Sequence, residues 1–147
     1  MLHLVDEMTG RGYPLEQGPI YKIGKGNNNG NEIVVPYSLR NENHDQLMNR
    51  YCDIPHIRNI SARISRRHCQ IILLQSNVIR LFDDSSKNGT FTQMGVSIGE
   101  VLIRPGGRFF LGNPEEPGPR ELPGYPLRLL EEEHLDGFRQ QYAAGNI

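Results

Sequence analysis

The sequence contains no tryptophan and only two cysteines, Cys52 and Cys69, among its 147 residues. Two widely separated cysteines give no disulfide framework, so a reducing compartment and a cytoplasmic location are expected. No apolar run approaches the roughly 18 residues that a membrane-spanning helix needs. The first ten residues also lack the basic and apolar segments of a signal peptide. The sequence therefore predicts no membrane partner and no secretion.

The sequence also lacks an excess of charge of either sign. Sixteen basic residues face seventeen acidic ones, which leaves a formal net charge of −1. A nearly neutral chain has no global field to attract nucleic acid or an anionic membrane, so neither is expected as a partner. His44, Cys52, Asp53 and His56 share one polar stretch but lack the paired spacing of metal ligands. We expect no metal site and no cofactor.

What the sequence does contain is glycine and proline, 16 and 10 residues respectively. They separate short segments in which apolar residues alternate or β-branched residues cluster, the pattern of strands between turns. The predicted strands cover residues 2–5, 20–25, 32–35, 68–74, 78–83, 91–98 with a break at Gly95, 101–103, 108–111 and 127–130. Strands at this spacing indicate an all-β fold, an antiparallel sandwich or barrel.

The predicted organisation is one sandwich domain over residues 1–130, followed by a tail over 131–147. A polar stretch of about residues 27–53 has no convincing period and is interpreted as a long loop inserted in the sandwich. In the tail, Leu135, Phe138 and Tyr142 have the spacing of one helix face, which predicts a short C-terminal helix docked on the body.

Three polar islands lie at predicted strand ends: Gly24-Lys25, the run from Ser65 to His68, and the run from Asp84 to Phe91. Their order and strand context resemble the forkhead-associated (FHA) domain, whose pattern is a Gly-Arg, a Ser-x-x-His and an Asn-Gly after a Ser-rich turn. The resemblance extends from Tyr21 to Gly112. It implies an FHA-type antiparallel β-sandwich that binds a phosphothreonine-containing protein or peptide.

The residue types in these islands fit such a ligand on chemical grounds. A phosphothreonine carries close to two negative charges and three acceptor oxygens. Cations and a hydroxyl donor on loop tips can hold it, and the guanidinium of arginine fits phosphate especially well. An asparagine amide can donate to and accept from an extended peptide backbone. The predicted phosphate-binding residues are Lys25, Ser65, Arg66 and Lys87, and the predicted peptide-binding residue is Asn88.

Other residues of the islands are assigned supporting roles. The resemblance implies that His68 is a structural residue that braces the binding loops through hydrogen bonds. Gly24 is also assigned a structural role at the site. Gly89 allows the positive φ that an Asn-Gly turn needs. Arg63, Arg67 and Ser86 are candidate accessory residues at the site.

The sequence departs from the family pattern in two ways. Lys25 stands where the family has arginine, which keeps the charge but loses the forked geometry, so weaker or less selective phosphate binding is expected. The connection from Lys25 to Ser65 is also longer than is usual in the family. Either residues 32–36 or residues 52–54 would form the intervening strand, and the remainder would be the insertion.

The lysine motivates a rival hypothesis, an FHA-like module for constitutive protein interaction or oligomerisation that does not read phosphate. The oligomeric state itself is left open. Single-stranded nucleic acid binding through Arg63, Arg66 and Arg67 is disfavoured, because few aromatic residues accompany them and the net charge is slightly acidic.

Enzyme classes find no support in the sequence. A phosphate-binding P-loop would need glycine where Pro19 stands and serine or threonine where Gly26 stands. Ser65 and His68 with a nearby aspartate would make a triad only with a nucleophile elbow or an oxyanion element, and neither is recognisable. We expect no catalysis.

Overall fold

The computed structural model describes residues 1–26, 30–35, 63–112 and 124–143, which form two five-stranded β-sheets and one C-terminal helix. The first sheet has the order β2-β1-β10-β9-β7 and the second the order β4-β3-β5-β6-β8. The strands of the first sheet are β1 (Leu2–Asp6), β2 (Gly12–Pro14), β7 (Thr90–Phe91), β9 (Arg108–Leu111) and β10 (Tyr125–Glu131). Those of the second are β3 (Ile20–Lys25), β4 (Ile33–Val35), β5 (Cys69–Leu73), β6 (Ile79–Asp83) and β8 (Glu100–Ile103).

Period-two alternation places the inner faces of the two sheets against each other. Strand β5 shows the rule most clearly, with Cys69, Ile71 and Leu73 buried and the two residues between them partly exposed. These side chains pack in one apolar core with residues of the opposite sheet such as Phe109 and Leu127. Burying this apolar surface is the main term that stabilises the sandwich.

The predicted sandwich is therefore confirmed, and most predicted strands are present within two residues of their expected limits. The bounds of β3 and β9 were predicted correctly. Pairing is antiparallel except between β3 and β4, which run parallel. Cys69 is a free, buried thiol. Within the described part of the chain, no helix is long and apolar enough to cross a membrane.

Strand β2 was not predicted, because Gly12 and Pro14 have low strand propensity. It forms as a short edge strand, where proline is tolerated, and its backbone pairs with β1. Of the proposed insertion, residues 33–35 form the intervening strand β4. The alternative at residues 52–54, and most of the remaining insertion, lie outside the described residues.

The helix α1 (Glu132–Ala143) follows β10 directly and packs on the outer face of the first sheet. Leu135 and Phe138 are buried with Val5 and Leu130 in a second, small apolar cluster. Glu132 and Glu133 occupy the first helical turn, where negative charge is favourable at the positive end of the helix dipole. The predicted helix and two of its three docking residues are confirmed; the side chain of Tyr142 lies outside the description.

Candidate functional site

Cross-strand register brings the three polar islands to one end of the second sheet. Ile23 of β3 lies opposite Cys69 of β5, and Cys69 lies opposite Asp83 of β6. Strand β3 ends two residues after Ile23, at Lys25, whereas β5 begins at Cys69 and β6 ends at Asp83. The segments 24–26, 65–68 and 84–89 must therefore meet at the same end of the second sheet, although up to about 60 positions separate them in the sequence.

The first two segments touch through their backbones. The N–H of Lys25 donates to the carbonyl oxygen of Ser65 at 3.0 Å. Gly24 lies so close to the backbone of Arg66 that a Cβ at this position would overlap the Arg66 carbonyl oxygen. That carbonyl also accepts a hydrogen bond of 2.6 Å from Nδ2 of Asn31. Position 24 therefore requires glycine, because the backbone of Arg66 approaches it too closely for a side chain. Glycine commonly permits such close approaches of two backbone segments.

His68 connects the second segment to the third. Its side chain is fully buried; the N–H of Ser65 donates to Nδ1 at 3.0 Å, and Nε2 lies 2.6 Å from the carbonyl oxygen of Gly89. Since Nδ1 accepts, Nε2 must carry the proton and donate, which fixes the neutral tautomer. Burial lowers the pKa of His68, although the bond to Gly89 and the charge of Asp83 act in the opposite direction.

Asp83 organises the turn that follows β6. One carboxylate oxygen accepts the N–H of Ser86 at 2.8 Å, and the other accepts the hydroxyls of Ser86 and Thr90 at 2.6 and 2.7 Å. Burial alone would raise the pKa of Asp83, but these hydrogen bonds and the nearby His68 outweigh it and lower the pKa. The hydroxyl of Ser86 also accepts the N–H of Gly89 at 3.0 Å, so this candidate accessory residue is committed within the turn.

The third segment is joined to the second at two further points. The N–H of Lys87 donates to Oγ of Ser65 at 3.0 Å. Nδ2 of Asn88 donates to the carbonyl oxygen of Arg63 at 2.8 Å. Gly89 has a φ of 87°, which L side chains rarely adopt, and a Cβ there would crowd the Phe91 ring.

The predicted site residues are thereby brought together on one set of loops. Arg66, Arg67 and Lys87 are exposed, whereas Lys25, Ser65, Arg63 and Asn88 are partly buried and His68, Gly24 and Gly89 support them. These segments carry four cationic side chains, with Arg63 next to them, against one exposed carboxylate, Asp84, which accepts a hydrogen bond from Gln70. The carboxylate of Asp83 is turned inward by its three hydrogen bonds. This end of the sandwich is therefore suited to an anionic ligand.

A metal site or an acid–base centre has no counterpart among the described residues. No group of three or more His, Cys, Asp or Glu side chains could hold a metal ion there. His68 has both ring nitrogens engaged in bracing the loops.

Two bracing residues were missed from the sequence. Asp83 is followed three residues later by Ser86, an Asp-x-x-Ser spacing at a strand end that is typical of side-chain-bonded turns and could have been recognised. Asn31 bonds to Arg66 across 35 positions. Nothing local in the sequence indicates that contact.

Comparison with known proteins agrees with this geometry. The model of the FHA domain family matches residues 21–112. No curated protein matches the sequence. Among solved structures, the FHA-1 domain of Rv1747 from Mycobacterium tuberculosis has a TM-score of 0.55 at 18% identity, covering 88% of this chain and 93% of its own.

Two other structures are similar to the same extent. The FHA domain of the Chlamydia trachomatis protein CT664 has a TM-score of 0.55 at 20% identity, covering 88% of this chain and 96% of its own. EmbR of Mycobacterium tuberculosis, solved in complex with a low-affinity phosphopeptide, has a TM-score of 0.53 at 20% identity, covering 88% of this chain and 24% of its own. At these identities the likeness establishes a shared fold.

Proposed function

The chain belongs to the FHA domain family, and from that premise we propose that it binds phosphothreonine-containing segments of other proteins through the loops 24–26, 65–68 and 84–89. FHA domains are interaction modules, which accords with the absence of a catalytic pattern in the sequence. The observation that carries the proposal is the hydrogen-bond network that holds these three loops at one end of the sandwich, with cations on their surface.

In this proposal Ser65 donates a hydrogen bond to the phosphate. Its Oγ accepts the N–H of Lys87, so the hydroxyl proton remains to be donated outward. The same bond fixes the position of the hydroxyl without a ligand, which reduces the ordering cost of binding. Arg66 follows Ser65 in the sequence and Lys87 is joined to it by this hydrogen bond, and both would supply the charge, with Lys25 on the adjoining segment.

Asn88 would fix the peptide backbone. Because its Nδ2 is held by the carbonyl oxygen of Arg63, its Oδ1 is the atom left to accept an N–H from an extended ligand. The bond to Arg63 also orients the amide in advance. Arg63 therefore contributes through its backbone, and its side chain and that of Arg67 are the accessory cations of the proposal.

The test is a titration with three degenerate peptide pools that contain phosphothreonine, phosphoserine or unmodified threonine at the fixed position, followed by amide NMR shifts. We expect shifts at Lys25, Ser65, Arg66 and the turn from Lys87 to Gly89 with the phosphothreonine pool only. Ser65→Ala and Arg66→Ala should weaken binding. Lys22→Ala is the matched control, since this exposed lysine lies on β3 but outside the loops.

Equal responses to all three pools, from a protein that stays folded, would contradict the proposal. They would support the rival function, a constitutive interaction module that is indifferent to phosphorylation. In that case Ser65→Ala and Arg66→Ala would leave partner binding unchanged.

A further inference from the structure

Strand β8 is the longest of the four edge strands of the two described sheets. The other edges are β2 and β4 with three residues each and β7 with two, whereas β8 has four. β8 pairs with β6 on one side, and no described residue pairs with its other side. An unpaired edge presents a row of backbone donors and acceptors to another strand.

This edge lacks several of the features that usually protect such strands, although β8 is short and begins with the charged Glu100. Glu100 to Ile103 contains no lysine, no proline and no bulge, and three of the four residues are aliphatic. Leu102 points to the outer face with 57% of its surface exposed. Val101 and Ile103 point inward and pack against the core, yet remain partly exposed, and no strand among the described residues covers them from the edge.

A cleft of about 610 Å³ lies at the C-terminal end of β8. Its lining residues come from the turn between β5 and β6 and from the end of β8: Ser76, Asn77, Val78, Leu102, Arg104 and Pro105. The cleft therefore lies between the C-terminal end of β8 and the turn that precedes β6.

We propose that this edge pairs with β8 of a second copy of the chain, as an antiparallel pair centred on Leu102. Residues directly opposite each other in an antiparallel pair lie on the same face, so alternation restricts the register. Centring on Leu102 places Leu102 against Leu102 of the second copy on the outer face. It also places Val101 against Ile103 of the second copy on the inner face. Each copy would then cover the partly exposed Val101 and Ile103 side chains of the other.

Charge complementarity selects the same register. With Leu102 at the centre, Glu100 of each copy lies opposite Arg104 of the other, so the pair gains two opposite-charge contacts. Arg104 is exposed directly after the strand. Glu100 accepts a hydrogen bond of 2.6 Å from Nε of Arg80 through one carboxylate oxygen, and the other oxygen remains for Arg104 of the second copy.

The pairing leaves the candidate phosphate-binding loops uncovered. Those loops lie near the Asp83 end of β6, and Glu100 at the start of β8 lies opposite Phe82 at that same end. Because the two β8 strands run antiparallel, the loops of the two copies lie at opposite ends of a continuous ten-stranded sheet. A dimer of this kind would present two separated recognition sites and would bind doubly modified or clustered partners with added avidity.

A five-residue edge pairing buries far less than a standard interface of roughly 1,600 Å², so a weak, concentration-dependent dimer is expected. The test is sedimentation equilibrium of the full chain from about 10 μM to about 1 mM. Leu102→Asp should abolish association, and Arg104→Glu should weaken it by about tenfold through two like-charge contacts. Circular dichroism and amide NMR spectra would check that each variant is folded.

The decisive experiment measures the association of two variants when they are mixed. Arg104→Glu and Glu100→Lys each produce like-charge contacts in their own homodimers, but a heterodimer of the two restores both opposite-charge pairs. We expect the mixture to associate more strongly than either variant alone. Ile20→Lys is the control, since Ile20 is also an exposed aliphatic residue on the outer face of this sheet but lies on β3.

Three results would overturn the proposal: a monomer at every concentration, association that survives Leu102→Asp, or a mixture no stronger than its parts. Association lost with Ile20→Lys but not with Leu102→Asp would instead show face-to-face stacking of the sheets. The phosphopeptide affinity of Arg104→Glu, measured separately, should match that of the unmodified chain. The proposed dimer and the proposed phosphate recognition are therefore tested independently of each other.

Discussion

Nε2 of His68 lies 2.6 Å from the carbonyl oxygen of Gly89, 21 positions further along the chain. With Nδ1 accepting the N–H of Ser65, the imidazole is a neutral bridge between two loops. A second proton on Nδ1 would face that N–H and break the bond. The protonation state of His68 is therefore coupled to the geometry of the loops that surround Ser65.

This coupling predicts a loss of stability in mild acid. Burial lowers the pKa of His68 below its ordinary value of 6.5, so the unfolded chain binds the proton more strongly. The contribution of His68 to folding is complete above pH 6.5 and is lost as the pH falls through 6.5 towards the lower pKa of the folded state. Ring-nitrogen NMR shifts should show the Nε2–H tautomer at pH 7 and a titration below 6.5.

The comparison variant is His134→Gln, at an exposed position of α1. His68→Gln should remove the acid-dependent loss and also weaken the loops. A titration of His68 at or above pH 6.5 would contradict the neutral bridge.

Asp6 predicts a pH dependence of the opposite sign. Full burial raises its pKa from 3.8 to about 6, although hydrogen bonds from Tyr125, Met8 and Thr9 act to lower it. The folded state therefore holds the proton more strongly. The stability that this group contributes is complete below pH 3.8 and is lost as the pH rises through about 6, a change on the order of 3 kcal/mol.

Asp6→Asn should flatten this slope in denaturant unfolding followed between pH 4 and 7. The amide keeps an oxygen for the N–H groups of Met8 and Thr9 and presents its nitrogen to the hydroxyl of Tyr125. The comparison variant is Asp136→Asn, at an exposed position of α1. An unchanged slope in Asp6→Asn would show that Asp6 does not titrate in this range.

Gly24→Ala should disrupt the site through its backbone. The added Cβ would overlap the carbonyl oxygen of Arg66 and push the segment 65–68 away from β3. We expect a loss of about 1–3 kcal/mol of unfolding free energy, together with weaker phosphopeptide binding, measured by urea unfolding and by peptide titration.

Gly99→Ala is its control, because no atom lies within 4 Å of a Cβ at Gly99. Its stability should stay within about 0.5 kcal/mol of the unmodified chain. Equal effects at the two glycines would show that the close approach of Gly24 to Arg66 carries no energetic weight.

Lys25→Arg should strengthen binding if the proposed function holds. A guanidinium can form two parallel hydrogen bonds to phosphate, whereas the ammonium of lysine acts as a point charge. One additional hydrogen bond of about 1 kcal/mol corresponds to about a fivefold tighter complex. Isothermal titration with one phosphothreonine peptide would measure this, with Lys22→Arg as the control outside the loops. Unchanged affinity in Lys25→Arg would place Lys25 away from the phosphate.

Much of this molecule was predictable from local patterns. The limits of β3 and β9, the alternation of β5 and the helix face of Leu135 and Phe138 depend on propensity and periodicity, which neighbouring residues determine. The order of the three polar islands was likewise sufficient to predict the fold family, because turn chemistry at strand ends is local too.

Contacts between distant segments were decided only by the tertiary structure. The row of Ile23, Cys69 and Asp83 depends on strand register, which arises from burial of a whole face and from no single segment. The same register places Gly24 against Arg66, and the turn it positions is held by Asp83. The formation of β2 and the parallel pairing of β4 were also decided by the tertiary structure. An edge strand forms when the neighbouring strand offers its backbone groups for pairing, even where the strand propensity of the edge residues is low.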